Sequence, residues 1–315
     1  MPTGKTITIA DKRHGLPFSK GLLAQSLTAT GLSPNNAYQI ATAIQDDLRE
    51  RDELSVTVVR LRELAVEYLE RLAGDEYARR YVKLWELSKL DKPLIVLIGG
   101  TTGVGKSTIA TEVAHRLGIT RIVSTDSIRE VMRGIFTKEL MPAIYESAFN
   151  AWRGLRVPVP HGANPVVVGF REQTAVVTTG VRALIDRSVL EGDSLVLEGV
   201  HLVPGYIEPR QFKNARVVQL VIAVDDEDSH RSHFYIREVQ TDGTRPFERY
   251  RANFGNIRLL GHYIEDLARE HGTPVITSHQ LDRTVADVLE HVVNTAVDEQ
   301  HGVADVGRDE EEIEE

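Results

Sequence analysis

A glycine-rich turn between an apolar segment and a helical segment constrains this fold more than any other feature. Residues 94–98 read LIVLI, residues 100–107 read GTTGVGKS, and residues 107–117 have helical spacing. The turn fits the pattern GxxxxGK[ST] in the strand-to-helix context that this pattern requires. Its glycines allow consecutive backbone N–H groups to face a phosphate at a helix N-terminus. A turn without a ligand would leave the Lys106–Ser107 pair at this spacing unexplained.

This phosphate loop predicts ATP as phosphoryl donor, together with Mg²⁺. Lys106 is expected to reach the β- and γ-phosphates and to act in catalysis, and Ser107 is expected to ligate the metal. The residues predicted to bind the nucleotide are Gly100, Thr101, Thr102, Gly103, Val104, Gly105, Lys106, Ser107 and Thr108.

Five short apolar runs alternate with helical segments from residue 94 onward. Such alternation is typical of a parallel sheet that is covered by helices on both faces. We therefore predict an α/β fold with a parallel five-stranded sheet and helices over 107–117 and 175–190. The predicted strands are residues 94–98, 120–123, 194–197, 217–224 and 274–277.

Residues 1–88 have a different, mostly helical pattern. A short strand over 6–9 precedes helical segments over 56–72 and 77–87, and an earlier segment has apolar residues at helical spacing. These residues are Tyr38, Ile40, Ala41, Ile44 and Leu48. The predicted domains are a small helical domain over 1–88, a charged linker over 89–92, an α/β domain over 93–300 and a tail over 301–315.

The tail decides how the net charge is interpreted. Residues 301–315 contain seven acidic residues and one arginine, so they supply −6 of the formal net charge of −9. A segment of this kind repels itself and buries little, which predicts disorder. The rest of the chain, near −3, lacks the basic excess expected of a nucleic-acid-binding protein.

Other bulk features predict a cytoplasmic protein that does not associate with membranes. No apolar run approaches the roughly 20 residues of a membrane helix. The first 15 residues lack the apolar core of a signal peptide. The chain has no cysteine, which fits a reducing compartment. The sequence does not indicate an oligomeric state.

A carboxylate and two guanidinium groups follow the second predicted strand. Residues 124–133 read STDSIREVMR, with Asp126 just past the strand and Arg129 and Arg133 four residues apart. In open α/β sheets, ligands bind beyond the carboxyl ends of the strands. Asp126 is therefore predicted to bind an acceptor hydroxyl and take its proton, and the two arginines to bind an anion on the acceptor.

Each of these assignments has a structural alternative. Asp126 could cap the helix, although Ser127 and Glu130 form an S-x-x-E capping box that provides another cap. The two arginines could instead pair with Glu130 or Glu139.

The third predicted strand is followed by an acid and a histidine. An acid at this position can steer Mg²⁺ directly or through water. Glu198 is therefore predicted to be a metal ligand that also lines the substrate site. His201 is predicted to contact substrate, with a hydrogen bond to a backbone carbonyl as the alternative.

An arginine-rich segment follows the fourth predicted strand. Phosphoryl transfer needs charge stabilisation and exclusion of water, which predicts that residues 228–250 form a lid. Arg231 and Arg237 are the predicted catalytic residues of this lid, and Arg245 and Arg249 lie further along it. The alternative is a solvated helix face.

Five segments within residues 93–295 together resemble the 2-phosphoglycerate kinases. They read IGGTTGVGKST, STDSIREVMR, LVLEGVHLVPG, HFYIRE and RYRANFGNIRLLGHYI. The resemblance implies a P-loop kinase fold that transfers phosphate from ATP to 2-phosphoglycerate. It also implies that Lys106 and Ser107 serve ATP–Mg²⁺ and that Asp126 and the nearby arginines face the acceptor. Kinases of phosphorylated mevalonate are similar in these motifs, so the expected partner is a small phosphorylated acid.

Residues 7–88 resemble an ATP-cone, a small nucleotide-sensing domain. The resemblance rests on Lys12-Arg13-His14-Gly15 followed by Pro17-Phe18, with His14 where the pattern usually has an acid. It implies a regulatory nucleotide site that includes Lys12 and Arg13. A nucleotide-gated regulatory ATPase without a metabolite acceptor is therefore a rival hypothesis, whereas the acidic body disfavours a polynucleotide kinase. Residues 137–174 form an insert that could cover the acceptor.

Overall fold

The computed structural model describes residues 7–10, 16–87, 89–240 and 247–311. Within these ranges, it describes only the backbone at residues 237, 240 and 298–311. The chain divides into two compact units, Met1–Leu90 and Asp91–Glu315. Within the described residues, no helix has both the length and the apolar character needed to cross a bilayer.

The first unit combines three short strands with four helices. Strand β1 pairs antiparallel with β2 and parallel with β3. The strands are β1 (Thr8–Ala10), β2 (Leu16–Pro17) and β3 (Ser55–Thr57). The helices are α1 (Lys20–Thr28), α2 (Pro34–Glu50), α3 (Val58–Leu72) and α4 (Asp75–Leu87).

Helix α2 illustrates how the first unit is held together. The Ser33 side chain accepts a hydrogen bond from the backbone of Asn36 and so caps the helix. Ile44 and Leu48 are fully buried in the core of the unit. Tyr38 is 49% exposed, because it lies about 240° around the helix from Ile44. The helix predicted from this spacing is present, and Tyr38 lies outside its buried face.

The second unit contains the predicted sheet of five parallel strands. Their spatial order is β5-β6-β4-β7-β8. The central strand is buried on both faces, which explains its continuous apolar sequence. The strands are β4 (Leu94–Gly99), β5 (Ile122–Ser124), β6 (Leu195–Glu198), β7 (Arg216–Ala223) and β8 (Val275–Thr277).

Helices cover this sheet in two groups. Helices α5 and α11 contact each other and the sheet, as do α7 and α10. The helices are α5 (Lys106–Leu117), α6 (Thr125–Ile135), α7 (Pro165–Glu191), α8 (Glu227–Gln240), α9 (Phe247–Arg251), α10 (Phe254–Glu270) and α11 (Leu281–Glu311). The α/β fold with a five-stranded parallel sheet is confirmed.

Two segments differ from their sequence-based descriptions. The predicted helix over 175–190 is the second half of the longer helix α7, which begins ten residues earlier. The insert over 137–174 therefore contains the start of α7, preceded by the 3₁₀ turns Pro142–Tyr145 and Ala148–Gly154. These turns pack closely on α7, since a Cβ at Gly169 would lie 2.3 Å from the backbone nitrogen of Trp152.

The end of the chain leaves one prediction open. Helix α11 extends to Glu311, into the segment predicted to be a disordered tail. Residues 312–315 lie outside the described residues. The disorder of the acidic tail therefore stays a prediction.

The register of the sheet brings three strand ends to one level. Glu198 of β6 pairs with Ile98 of β4 on one side and with Ser124 of β5 on the other. The segments that follow these strands therefore begin at the same edge of the sheet. This is the carboxyl edge, where ligands of open α/β sheets bind.

Candidate functional site

The phosphate loop connects β4 to α5 through three glycines with positive φ. Gly105, the N-cap of α5, has φ of 89°, and Gly103 has φ of 90°. Gly100 has φ of 129°, and a Cβ there would lie 2.2 Å from the carbonyl oxygen of Ile222. The loop conformation and its close approach to β7 therefore require glycine at this position.

Lys106 is buried at the start of α5. Its Nζ donates a hydrogen bond to the carbonyl oxygen of Thr101, at 2.7 Å. Burial lowers the pKa of the Lys106 ammonium, while the carboxylates of Glu198 and Asp126 act in the opposite direction. Both carboxylates therefore lie within electrostatic range of the phosphate-loop lysine.

Ser107 and Glu198 meet beside this lysine, although 91 residues separate them along the chain. The Ser107 hydroxyl donates a hydrogen bond to Glu198 Oε1 at 2.9 Å. A hydroxyl and a carboxylate side by side are oxygen ligands of the kind that Mg²⁺ prefers, alongside phosphate and water. Among the described residues, no group of three His, Asp or Glu side chains could hold a metal by itself. The donor set thus fits a metal that is shared with a nucleotide.

Asp126 lies in the first turn of α6, but it does not cap this helix. The cap is Ser124, whose hydroxyl oxygen accepts a hydrogen bond from the Ser127 backbone at 3.0 Å. The predicted capping box of Ser127 and Glu130 is therefore wrong, because the helix begins at Thr125. The Asp126 side chain is 67% exposed, so a substrate could reach its carboxylate.

The two arginines of α6 are held differently. Arg129 donates from Nη1 to the carbonyl oxygens of Ile144 and Glu146, at 2.9 and 3.2 Å. Its Nη2 is 3.3 Å from Asp126 Oδ1. The Arg129 guanidinium therefore links the proposed base to the backbone of the insert.

Arg133 forms the ion pair that was the alternative to substrate binding. Its Nη1 is 2.6 Å from Glu130 Oε2, and its guanidinium lies 4.9 Å from the centroid of the Tyr145 ring. Of the two predicted pairing partners, Glu130 is thus the one that Arg133 contacts. Substrate binding by Arg133 stays a prediction.

His201 is fully buried, and both of its ring nitrogens are bonded to protein groups. Gln173 donates its amide to the carbonyl oxygens of Ala143 and Glu146, so its Oε1 must accept from His201 Nε2, at 2.9 Å. Neutral His201 then accepts at Nδ1 from the Thr125 hydroxyl, at 2.9 Å. The prediction that His201 contacts substrate directly is therefore corrected: this histidine follows β6 and links Gln173 of α7 to Thr125, the residue that precedes Asp126.

Charge and burial keep this histidine neutral. Burial lowers the pKa of His201 to about 4; Asp126 acts in the opposite direction, and Arg129 and Lys106 add to the lowering. The pKa of His201 therefore depends on charged groups of both the phosphate loop and α6.

Helix α8 and the short helix α9, which includes Arg249, contain the described parts of the predicted arginine lid. The Arg231 guanidinium lies 4.0 Å from the centroid of the Phe254 ring and 3.2 Å from a Glu227 oxygen. It is 44% exposed, which leaves its catalytic role a prediction. The Arg237 side chain, Arg245, and the predicted regulatory residues Lys12 and Arg13 lie outside the described residues.

Sequence reasoning missed several residues that support the site. Gln173 stands in the insert, where no motif points to it. His230 and His233 lie three residues apart on α8, and this spacing was the available signal for a shared helix face. Their contacts with the phosphate loop depend on the tertiary packing of α8.

Curated proteins similar to this chain have one name in common. A 2-phosphoglycerate kinase of Methanothermobacter thermautotrophicus is 42% identical over 289 residues, covering 92% of this chain and 94% of that protein. A 2-phosphoglycerate kinase of Thermococcus kodakarensis is 41% identical over 283 residues, covering 90% of this chain and 95% of that protein. No protein-family model matches the chain.

Solved structures are similar only at a low level. A shikimate kinase from Acinetobacter baumannii in complex with shikimate aligns with a TM-score of 0.39 and 19% identity. The alignment covers 67% of this chain and 97% of that one. A similarity this low carries no conclusion about the site.

Proposed function

The chain belongs to the 2-phosphoglycerate kinase family, and on that premise we propose that it transfers the γ-phosphoryl group of ATP to the hydroxyl group of 2-phosphoglycerate. The products are 2,3-bisphosphoglycerate and ADP. The observation that carries the proposal is the meeting of two groups at one sheet edge. Ser107 of the phosphate loop bonds to Glu198 of β6, and Ser124, two residues before the exposed Asp126 carboxylate, pairs with the same glutamate in the sheet.

Asp126 supplies the general base in this proposal. The acceptor hydroxyl donates a hydrogen bond to the Asp126 carboxylate and gives up its proton as its oxygen bonds to the γ-phosphorus. The bond from that phosphorus to the β,γ-bridging oxygen breaks, and ADP leaves with the electron pair. Lys106, released from the Thr101 carbonyl, stabilises the charge that accumulates on the phosphates.

Ser107 and Glu198 are the residues that would hold Mg²⁺ with the nucleotide. The metal neutralises phosphate charge when it is bound. The hydroxyl and carboxylate of this chain keep their mutual hydrogen bond until then.

The insert and α6 supply the acceptor side. Arg129 contacts both Asp126 and the carbonyl of Glu146, so an anionic acceptor at this place would meet a guanidinium that is already positioned. A phosphorylated acid carries two anionic groups, and a guanidinium can bind either of them bidentately. This chemistry supports a phosphorylated hydroxy acid as the substrate class.

The test is ADP release by the purified chain with a panel of acceptors. The panel contains 2-phosphoglycerate, 3-phosphoglycerate, phosphomevalonate and glycerate, and phosphorus NMR identifies the product. We expect the highest kcat/KM with 2-phosphoglycerate. A preference for phosphomevalonate would move the substrate to the related branch, and ATP hydrolysis that no acceptor stimulates would favour a regulatory ATPase.

We also propose that the first unit is an ATP-cone-like regulatory domain, with Lys12 and Arg13 at its nucleotide site. Replacing both residues by alanine in the full chain should change how the rate depends on ATP concentration above saturation of the catalytic site. An unchanged dependence would remove this role.

A further inference from the structure

Two histidine side chains of α8 form hydrogen bonds with the backbone of the phosphate loop. His230 Nε2 lies 2.8 Å from the carbonyl oxygen of Thr102, and His233 Nδ1 lies 2.9 Å from that of Gly103. A carbonyl oxygen can only accept, so each of these ring nitrogens carries the proton and donates it. Two consecutive peptide groups of the loop are therefore held by two side chains of one helix.

Because the peptide group is planar, these hydrogen bonds also fix the direction of the N–H groups in the same peptide units. In a trans peptide, the carbonyl of one residue and the N–H of the next point in opposite directions. With the carbonyls of Thr102 and Gly103 drawn toward α8, the N–H groups of Gly103 and Val104 point away from it. Among the described residues, neither N–H donates a hydrogen bond of normal geometry to a backbone acceptor, although the turn at residues 102–103 directs the Val104 N–H toward the Thr101 carbonyl. Both are thus available to a phosphate within the loop.

Aromatic packing holds the His230 ring in the position from which it donates to the Thr102 carbonyl. His230 is fully buried, stacked on Phe234 with ring centroids 5.3 Å apart and edge-on to Phe254 at 5.4 Å. A Cβ added to Gly103 would lie 2.3 Å from Cζ of Phe234 and 3.0 Å from His230 Nε2. The helix therefore touches the loop where the loop has no side chain.

We propose that His230 and His233 are positioning residues that preorganise the Gly103 and Val104 amides for the ATP phosphates. The inference rests on the proposed use of ATP and names residues beyond the loop itself. It also couples α8, which carries Arg231, to the state of the phosphate loop. Movement of α8 away from the loop would release both carbonyls and so weaken nucleotide binding.

The experiment measures binding of a non-hydrolysable ATP analogue with Mg²⁺ to the full chain by calorimetry. His230→Phe keeps a ring between Phe234 and Phe254 and removes the donor, whereas His230→Gln keeps an N–H donor. We expect His230→Phe and His233→Ala each to weaken ATP binding roughly 3- to 10-fold, and His230→Gln to restore most of the loss. The matched control is His262→Phe, an exposed position on α10 that should bind ATP normally.

Kinetics separate positioning from a general loss of structure. In His230→Phe and His233→Ala, the KM for ATP should rise while the KM for the acceptor stays unchanged. Unchanged ATP binding in a folded double variant, or an equal rise of both KM values, would overturn the proposal. If His230→Phe does not fold, His233→Ala and its rescue by His233→Asn decide the question. A wild-type chain that binds no ATP would instead refute the proposed function.

Discussion

The phosphate loop and the start of α6 lie at the same edge of the sheet, but their functional groups are held by different means. The loop presents backbone N–H groups, and glycine conformations define its path. The start of α6 presents side chains, which are held by His201 after β6, by Gln173 of α7 through that histidine, and by the insert. The phosphate loop of the donor side is thus encoded within eight consecutive residues, whereas the acceptor side is assembled from distant ones.

This difference has a consequence for substitutions. A change on the donor side acts on the nucleotide directly, because the altered group would touch a phosphate. On the acceptor side, Arg129 contacts Asp126 directly, whereas His201 and Gln173 act on Asp126 through Thr125. The two sides should therefore separate in kinetics, with ATP binding altered on one side and acceptor turnover on the other.

The largest effect is expected for Asp126→Asn on the acceptor side. Removing the general base should lower kcat by roughly 10²–10⁴-fold, while the ATP analogue still binds. Single-turnover rates and calorimetry on the same preparation measure the two properties. Near-normal turnover would show that Asp126 is not the general base and would contradict the proposed difference between the donor and acceptor sides.

Lys106→Met is the matching change on the donor side. It removes a charge that is aimed at the phosphates, so kcat should fall by roughly 10²–10³-fold. Unlike Asp126→Asn, this variant should also bind the ATP analogue more weakly. If ATP binding were unchanged, Lys106 would keep its bond to the Thr101 carbonyl in the complex, contrary to the proposal.

The buried histidine of the acceptor side predicts a pH effect on stability. Because burial lowers the pKa of His201 to about 4 from an ordinary 6.5, the unfolded chain takes up a proton first as the pH falls. The contribution of neutral His201 to the unfolding free energy is fully present above about pH 6.5 and is lost progressively toward pH 4. For each such histidine, the unfolding free energy should fall by about 2 kcal/mol when the pH is lowered from about 7.5 to about 5.

Urea unfolding at several pH values checks this prediction. His201→Gln should flatten the loss of stability across that interval, because glutamine cannot take up the proton. His262→Gln, at an exposed position, should leave the wild-type slope. An equal slope in His201→Gln would mean that His201 is not the buried neutral group. His230 shares the interval, since burial lowers its pKa to about 4 as well.

The smallest effect is expected at Arg133, where two interpretations compete. If the guanidinium leaves Glu130 to bind the acceptor, Arg133→Gln should raise the acceptor KM roughly 10-fold and leave ATP binding unchanged. Glu130→Gln should then keep or lower that KM, because it frees the arginine. A change of less than about twofold in both variants would be expected of an exposed ion pair.

The sheet and the phosphate loop were accessible from sequence for a physical reason. Strands buried on both faces must be continuously apolar, and the loop needs glycine at positive φ followed by Lys106 and Ser107. The helix start at Ser124 was mistaken because Ser127 also satisfied a capping pattern. Two serines three residues apart cannot be ranked without knowing where β5 ends.

The sequence by itself determined the fold class and the phosphate loop, because both depend on contiguous residues and on backbone conformation. Only the tertiary structure decided that Ser107 meets Glu198, that His201 joins Thr125 to Gln173, and that two histidines of α8 hold the loop. These contacts follow from the strand order β5-β6-β4 and from the packing of α7 and α8. Such proximity arises when the sheet assembles, so no local pattern along the chain can specify it.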